Sequence, residues 1–284
     1  MRPPRALLLY LAFVFIGAAF VSPWIFEAIR AAGFENVPFR RVVSRCLIVL
    51  ALTGMWPLLR ALGARSRAEI GLAKTDHWTT DIPAGVLIGW GMVALAAGIC
   101  LAVGAAELDS KVSVVTRIPG ALLTALVVAL LEEVLFRGAI LTALSKVWGA
   151  STALWASSAL YAIVHFFSRA PDPTEVQWDS GFFILGGMLQ GFLDFEQVIP
   201  GFFSLTLLGV ILGLAYQKTG ALFMSMGIHG GIVFGAKLFS AAANSAPGAN
   251  VWLWGTEKLI DGWFSFFLML AVTLAFTRWR STRA

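Results

Sequence analysis

Leu130-Leu131-Glu132-Glu133-Val134-Leu135-Phe136-Arg137 sets two adjacent carboxylates and an arginine inside a long apolar run. An ionised side chain at the centre of a bilayer costs roughly 2.5 to 3.5 kcal/mol on insertion scales, so three such groups this close together need partners, water or a chemical task. Glu133 and Arg137 share a helix face at i and i+4, which predicts an ion pair, whereas Glu132 points about 100° away. That geometry leaves Glu132 for other work.

The surrounding chain sets the class. Its 284 residues are 58% hydrophobic and 13% charged, with a mean hydropathy of +0.81. This composition predicts an all-α, polytopic membrane protein with an intramembrane polar cavity rather than a soluble domain. The net charge of +5 gives a nucleic-acid partner little support, because in a membrane protein the distribution of basic residues outweighs their sum. Cys46 and Cys100 lie in separate apolar stretches without metal-ligand spacing and read as packing residues.

The opening Met1-Arg2-Pro3-Pro4-Arg5 and the apolar residues after it resemble a signal peptide. The run continues to about Ile29 without a clean small-residue cleavage site, which predicts a first transmembrane helix instead. Apolar runs predict about eight spans in all, at residues 6–29, 42–62, 83–105, 118–144, 150–167, 200–217, 221–239 and 256–277, in one integral membrane domain over 1–284. An even number puts both termini on one side. The loops on that side carry eleven Lys and Arg, Arg2, Arg65, Arg280 and Arg283 among them, against seven opposite, where Arg40, Arg41, Arg45 and Arg169 fall. That asymmetry predicts cytoplasmic termini in the cell membrane. Residues 168–175 form a loop by their prolines and charges, and the apolar, glycine-rich residues 181–193 suit a short interfacial or re-entrant helix.

Spans four and five are joined through Ser145-Lys146-Val147-Trp148-Gly149, and the midpoint between Glu132 and His165 falls in that turn. Residues equidistant from a hairpin turn lie at one depth, here roughly 20 Å from it at about 1.5 Å per residue. His229 lies roughly 13 Å beyond the Lys218-Thr219-Gly220 turn by the same rise, a compatible level. A carboxylate and an imidazole sharing a water inside an apolar wall can perform general-base hydrolysis, because burial makes the carboxylate more basic. One buried histidine is more often a packed, hydrogen-bonded residue. Two glutamates, an arginine and two histidines at comparable depth point to function. His77, beside Asp76 and Trp78 in a polar loop, reads as a surface residue.

These residues resemble the CPBP family of intramembrane endopeptidases, which includes the CAAX-processing Ras-converting enzymes and bacterial proteins linked to bacteriocin processing or immunity. The likeness covers residues 118–239. Glu132-Glu133-Val134-Leu135-Phe136-Arg137-Gly138 matches the family's Glu-Glu-x-x-x-Arg motif, and Tyr161-Ala162-Ile163-Val164-His165 stands where the family has Phe-x-x-x-His. His229-Gly230-Gly231-Ile232-Val233 stands where it has His-x-x-x-Asn. The resemblance implies that Glu132 and His165 activate the attacking water, that His229 and the usual Asn stabilise the oxyanion, and that Glu133 with Arg137 braces the site. Tyr161 keeps an aromatic ring. Val233 has no side-chain donor, and losing one oxyanion donor typically costs on the order of 100-fold to 1000-fold in rate.

The family has often been called metalloprotease, and Glu132, His165 and His229 are the three residues that zinc would use. The chain lacks His-Glu-x-x-His, and every motif residue has a role without a metal, so no cofactor is expected. The expected activity is an intramembrane endopeptidase acting on a membrane-associated or lipidated polypeptide, with membrane lipids as the other partner. A non-catalytic scaffold or immunity-type protein of the same fold is the alternative, supported by Val233. A small-solute or ion transporter, using the Glu pair and Arg137 as a relay and helix breaks at Gly186-Gly187 or Gly230-Gly231, is a further one.

Overall fold

The computed structural model describes residues 3–64, 66–109, 111–168 and 170–279. Arg2, Arg65, Arg169, Arg280 and Arg283, which enter the charge count above, lie outside the described residues. The chain is an all-α, polytopic integral membrane protein. In order it forms α1 (Pro3–Ala31), α2 (Phe39–Ala61), α3 (Trp78–Ala102), a short strand β1 (Ala106–Leu108) and α4 (Ile118–Glu133). A π-helical segment (Val134–Leu141) carries α4 into α5 (Thr142–Trp148), followed by α6 (Ala150–Val164) and α7 (Ser180–Met188). Next come α8 (Phe195–Thr219), α9 (Phe223–Ala242), β2 (Ala243–Ser245), α10 (Val251–Trp254) and α11 (Trp263–Arg278).

Each of the eight apolar runs contains a helix, because a backbone in hydrocarbon must satisfy its own hydrogen bonds. Among the described residues five helical stretches are long and apolar enough to cross a membrane, namely Arg5–Ala31, Phe39–Ala61, Trp78–Ala102, Val115–Trp148 and Phe195–Thr219. Of the other three, α6 and α11 are shorter than the expected spans. α6 ends at Val164, so the expected span to residue 167 is cut short and His165 lies in the turn that follows. α9 is a 20-residue helix. α11 starts only at Trp263, because buried Asp261 ties up the residues before it, accepting from the Thr256 N–H (2.8 Å) and the Thr256 hydroxyl (2.6 Å). The glycine-rich stretch after residue 180 is helical as α7 and tightens into a 3₁₀ turn over Leu189–Leu193.

The helices pack as two compact units, Met1–Arg65 with His165–Asp194, and Ser66–Val164 with Phe195–Ala284. In the first, α1 lies against α2 and α7 around Ala18, Phe26, Val43, Cys46 and Ile184. In the second, α9 is held between α3 and α4, while α8 packs on α6 and α11.

The seam between α3 and α9 is made of glycines. A β-carbon at Gly85 would come 2.5 Å from the Met224 carbonyl oxygen, and one at Gly89 would overlap the Ile228 carbonyl. Gly227 and Gly231 face α3 with the same intolerance, meeting the Ile82 and Val86 carbonyls. Both helices thus present glycines four residues apart, which lets their backbones touch. On its other side Gly230 packs against Ala129 and Ala125 of α4. β1 and β2 pair antiparallel, Glu107 opposite Asn244, and tie the far ends of α3 and α9 together.

Candidate active site

The site grows from the end of α4. Glu132 and Glu133 occupy its last two positions, and the wider π turn that follows carries Arg137. π-helical turns of this kind are frequent at functional sites. Here the Thr142 hydroxyl donates to the Arg137 carbonyl five residues back (3.0 Å) and also meets the Tyr216 hydroxyl on α8 (3.0 Å).

Arg137 is 2% exposed and Glu133 0% exposed at the side chain. The guanidinium donates from Nη1 to Glu133 Oε1 (2.9 Å) and from Nη2 to the Gly209 carbonyl on α8 (3.1 Å). Its carbon sits 4.6 Å from the centroid of the Tyr161 ring, a cation–π contact inside the apolar wall. Gly209 is exposed to the guanidinium because α8 and α6 approach closely there, a β-carbon at 209 falling 2.7 Å from Ser158 Cβ.

Glu133 does a second job. His229 Nδ1 lies 2.9 Å from the same Oε1. An ionised carboxylate only accepts, so Nδ1 carries the proton and the ring is fixed with Nε2 pointing away from Glu133. Nε2 then faces two groups, Glu132 Oε2 at 3.8 Å and the Tyr161 hydroxyl at 3.5 Å. The Tyr161 ring meets His229 edge to face (centroids 5.9 Å apart) and packs edge to face on Phe136 (5.2 Å). Glu132 is the open member of the set, its side chain 28% exposed against 3% for His229. The 3.8 Å separation is longer than a direct hydrogen bond.

The structure brings together Glu132, Glu133, Arg137, Tyr161 and His229. Val233 lies one turn beyond His229 on α9, half-buried. His165 falls in the first unit, an exposed residue in the turn after α6. His77 precedes α3 and is exposed. Among the described residues no group of three or more His, Cys, Asp or Glu side chains is placed to hold a metal ion.

Three contributors escape a reading of motifs alone: the Gly209 carbonyl, the Tyr161 hydroxyl and the second role of Glu133. The repeated glycines Gly85/Gly89 and Gly227/Gly231 were the available signal that α9 is pressed flat on its neighbours.

Fold and site together define an integral membrane protein whose helical interior holds a carboxylate–imidazole centre. Residues 114–235 match the family model described as Rce1-like, type II CAAX prenyl endopeptidase Rce1-like. That stretch contains every member of the cluster and is similar to the CAAX-type endopeptidases that its motifs resemble. No curated protein and no solved structure matches the chain.

Proposed function

We propose that this chain is an intramembrane endopeptidase of the cell membrane, with both termini cytoplasmic, that hydrolyses a peptide bond in a membrane-associated or lipidated polypeptide. A prenylated C-terminal peptide is the substrate class that the matched family's description favours. The observation that carries the reading is the approach of Glu132 Oε2 to His229 Nε2, 3.8 Å apart, around an imidazole locked from behind by Glu133. A purely structural network has no need of a second carboxylate this close to Nε2.

Glu132 accepts a proton from the attacking water as its oxygen bonds to the scissile carbonyl carbon. The carbonyl oxygen becomes an oxyanion. His229, in its doubly protonated form, donates to it from Nε2. The Tyr161 hydroxyl, 3.5 Å from the same nitrogen, supplies a second donor, which the valine at 233 has no atom to provide. Collapse breaks the C–N bond, and the proton held by Glu132 passes to the leaving amine. Glu133 and Arg137 act on His229 and not on substrate. Each proposed step uses a side chain of the chain itself and none is routed through a metal.

Val233 is the one observation that favours a non-catalytic scaffold or immunity-type protein of the same fold. The transporter reading loses its helix breaks, since α7 runs unbroken through Gly186 and Gly187, and α9 through Gly230 and Gly231. The test is turnover of a quenched, lipidated peptide in proteoliposomes. Wild type is expected to cleave and Glu132→Gln to be inert with unchanged melting, because the amide keeps the shape but accepts no proton. Full turnover by Glu132→Gln overturns the assignment, and an inert wild type with an intact fold favours the scaffold.

A further inference from the structure

α2 begins with three arginines in its first two turns, Arg40, Arg41 and Arg45. Arg40 is already neutralised: its Nη1 lies 2.5 Å from Asp172 Oδ2, and its backbone N–H donates to Asp172 Oδ1 (2.6 Å). Among the described residues Arg41 and Arg45 have no ion-pair partner. Both are exposed and, at i and i+4, they share one face of the helix.

Two adjoining cavities of the first unit meet at these two side chains. One, about 440 Å³, is lined on its polar side by Arg40, Arg41, Ser44, Arg45 and Ser168. The other, about 370 Å³, is a groove between α1 and α2 lined by Val21, Ile25, Val42, Val49 and Leu50, with Arg41 and Arg45 at its edge. From Arg41 to Leu50 the groove descends roughly 14 Å along α2 at about 1.5 Å per residue, close to half of a hydrocarbon core about 30 Å thick.

We infer that this composite groove binds one anionic phospholipid, its phosphate on Arg41 and Arg45 and an acyl chain against α1 and α2. The charge pattern selects that occupant. Two unneutralised guanidiniums at the level where a transmembrane helix begins present planar forks that match phosphate oxygens bidentately. A zwitterionic headgroup would bring its own cation against them. Free phosphate would occupy only the arginine end and leave the apolar groove between α1 and α2 unused. The site lies wholly within the first unit and does not rest on the proposed proteolysis.

The experiment is native mass spectrometry of the delipidated full-length protein, titrated with phosphatidylglycerol, with phosphatidylcholine of the same chains, and with glycerol phosphate. Wild type is expected to retain one phosphatidylglycerol at least ten times more tightly than phosphatidylcholine and to hold no glycerol phosphate. Arg41→Gln/Arg45→Gln should reduce phosphatidylglycerol to the phosphatidylcholine level. Val49→Trp, which fills the groove from an exposed position, should weaken both lipids while leaving melting unchanged. Equal retention of the two lipids, undiminished phosphatidylglycerol on the double variant, or glycerol phosphate binding as tightly as the whole lipid overturns the inference. Displacement of the phospholipid by an equal concentration of farnesyl-cysteine methyl ester does so too, since it would assign the groove to an isoprenoid chain.

Discussion

Replacing Arg137 by alanine removes a guanidinium that is bound three ways: to Glu133 Oε1 at 2.9 Å, to the Gly209 carbonyl at 3.1 Å and to the face of Tyr161 at 4.6 Å. Glu133, with no exposed side-chain surface, keeps its contact with His229 but loses its permanent cation. Breaking a buried pair by removing one partner costs about 3 to 5 kcal/mol. The Gly209 carbonyl keeps the N–H of its own helix, so the lost guanidinium hydrogen bond and the ring contact add about 1 kcal/mol each, though contributions in one network do not add. The expected loss is therefore near the top of the pair's own range, about 4 to 5 kcal/mol. At about 2 to 4 °C per kcal/mol for a chain of this size, melting should fall by on the order of 10 °C. The assay is thermal melting of the detergent-purified protein alongside peptide cleavage. Glu133→Gln/Arg137→Met should recover more than half of the lost stability, because no charge is then left buried, but not the activity, because His229 has lost the carboxylate that orients it. Unchanged melting of Arg137→Ala with activity abolished would refute the reasoning and make Arg137 a substrate-binding residue.

His165→Ala should damage turnover about as much as Glu132→Gln, and the double variant should be little worse than either, as for residues acting as a unit; additive losses would assign them separate roles. Tyr161→Phe should lower kcat by up to about 100-fold with melting nearly unchanged, whereas an unchanged kcat would mean that the hydroxyl only packs. Val233→Asn should raise kcat, by less than the about 2.7 to 4 kcal/mol worth of a full donor, and should shrink the effect of Tyr161→Phe; a slower Asn variant would show that the oxyanion is already served by another group. The purified protein should contain substoichiometric zinc and keep its activity after chelation. Stoichiometric zinc lost and regained together with activity would reverse that.

The position of the long apolar helices was legible in the sequence, and direction around each helix was not. Long apolar runs report spans because an unsatisfied backbone is intolerable in hydrocarbon. The Glu133–Arg137 pair follows from i, i+4 spacing on one helix and survives the π turn between them. Which glutamate His229 would meet through Nδ1 depends on how α9 is rotated, and that is set by glycines facing α3 and α4. Spacing within α9 carries no such information. Tyr161 read as a ring because its hydroxyl gains meaning only from the nitrogen beside it. The equal-depth reasoning for His165 assumed a helix running past it, whereas α6 stops one residue earlier.

The glycine seam between α3 and α9 makes the chemistry hostage to atoms that never approach it. A single methyl group at Gly89 or Gly231 would act as a wedge between two backbones, and the rotation or shift of α9 that relieved it would carry the His229 imidazole with it. Any such displacement would change the 3.8 Å spacing to Glu132. In a genetic screen for lost function these four glycines would surface among the strongest lesions, while an inventory of polar and ionisable side chains would pass over every one of them.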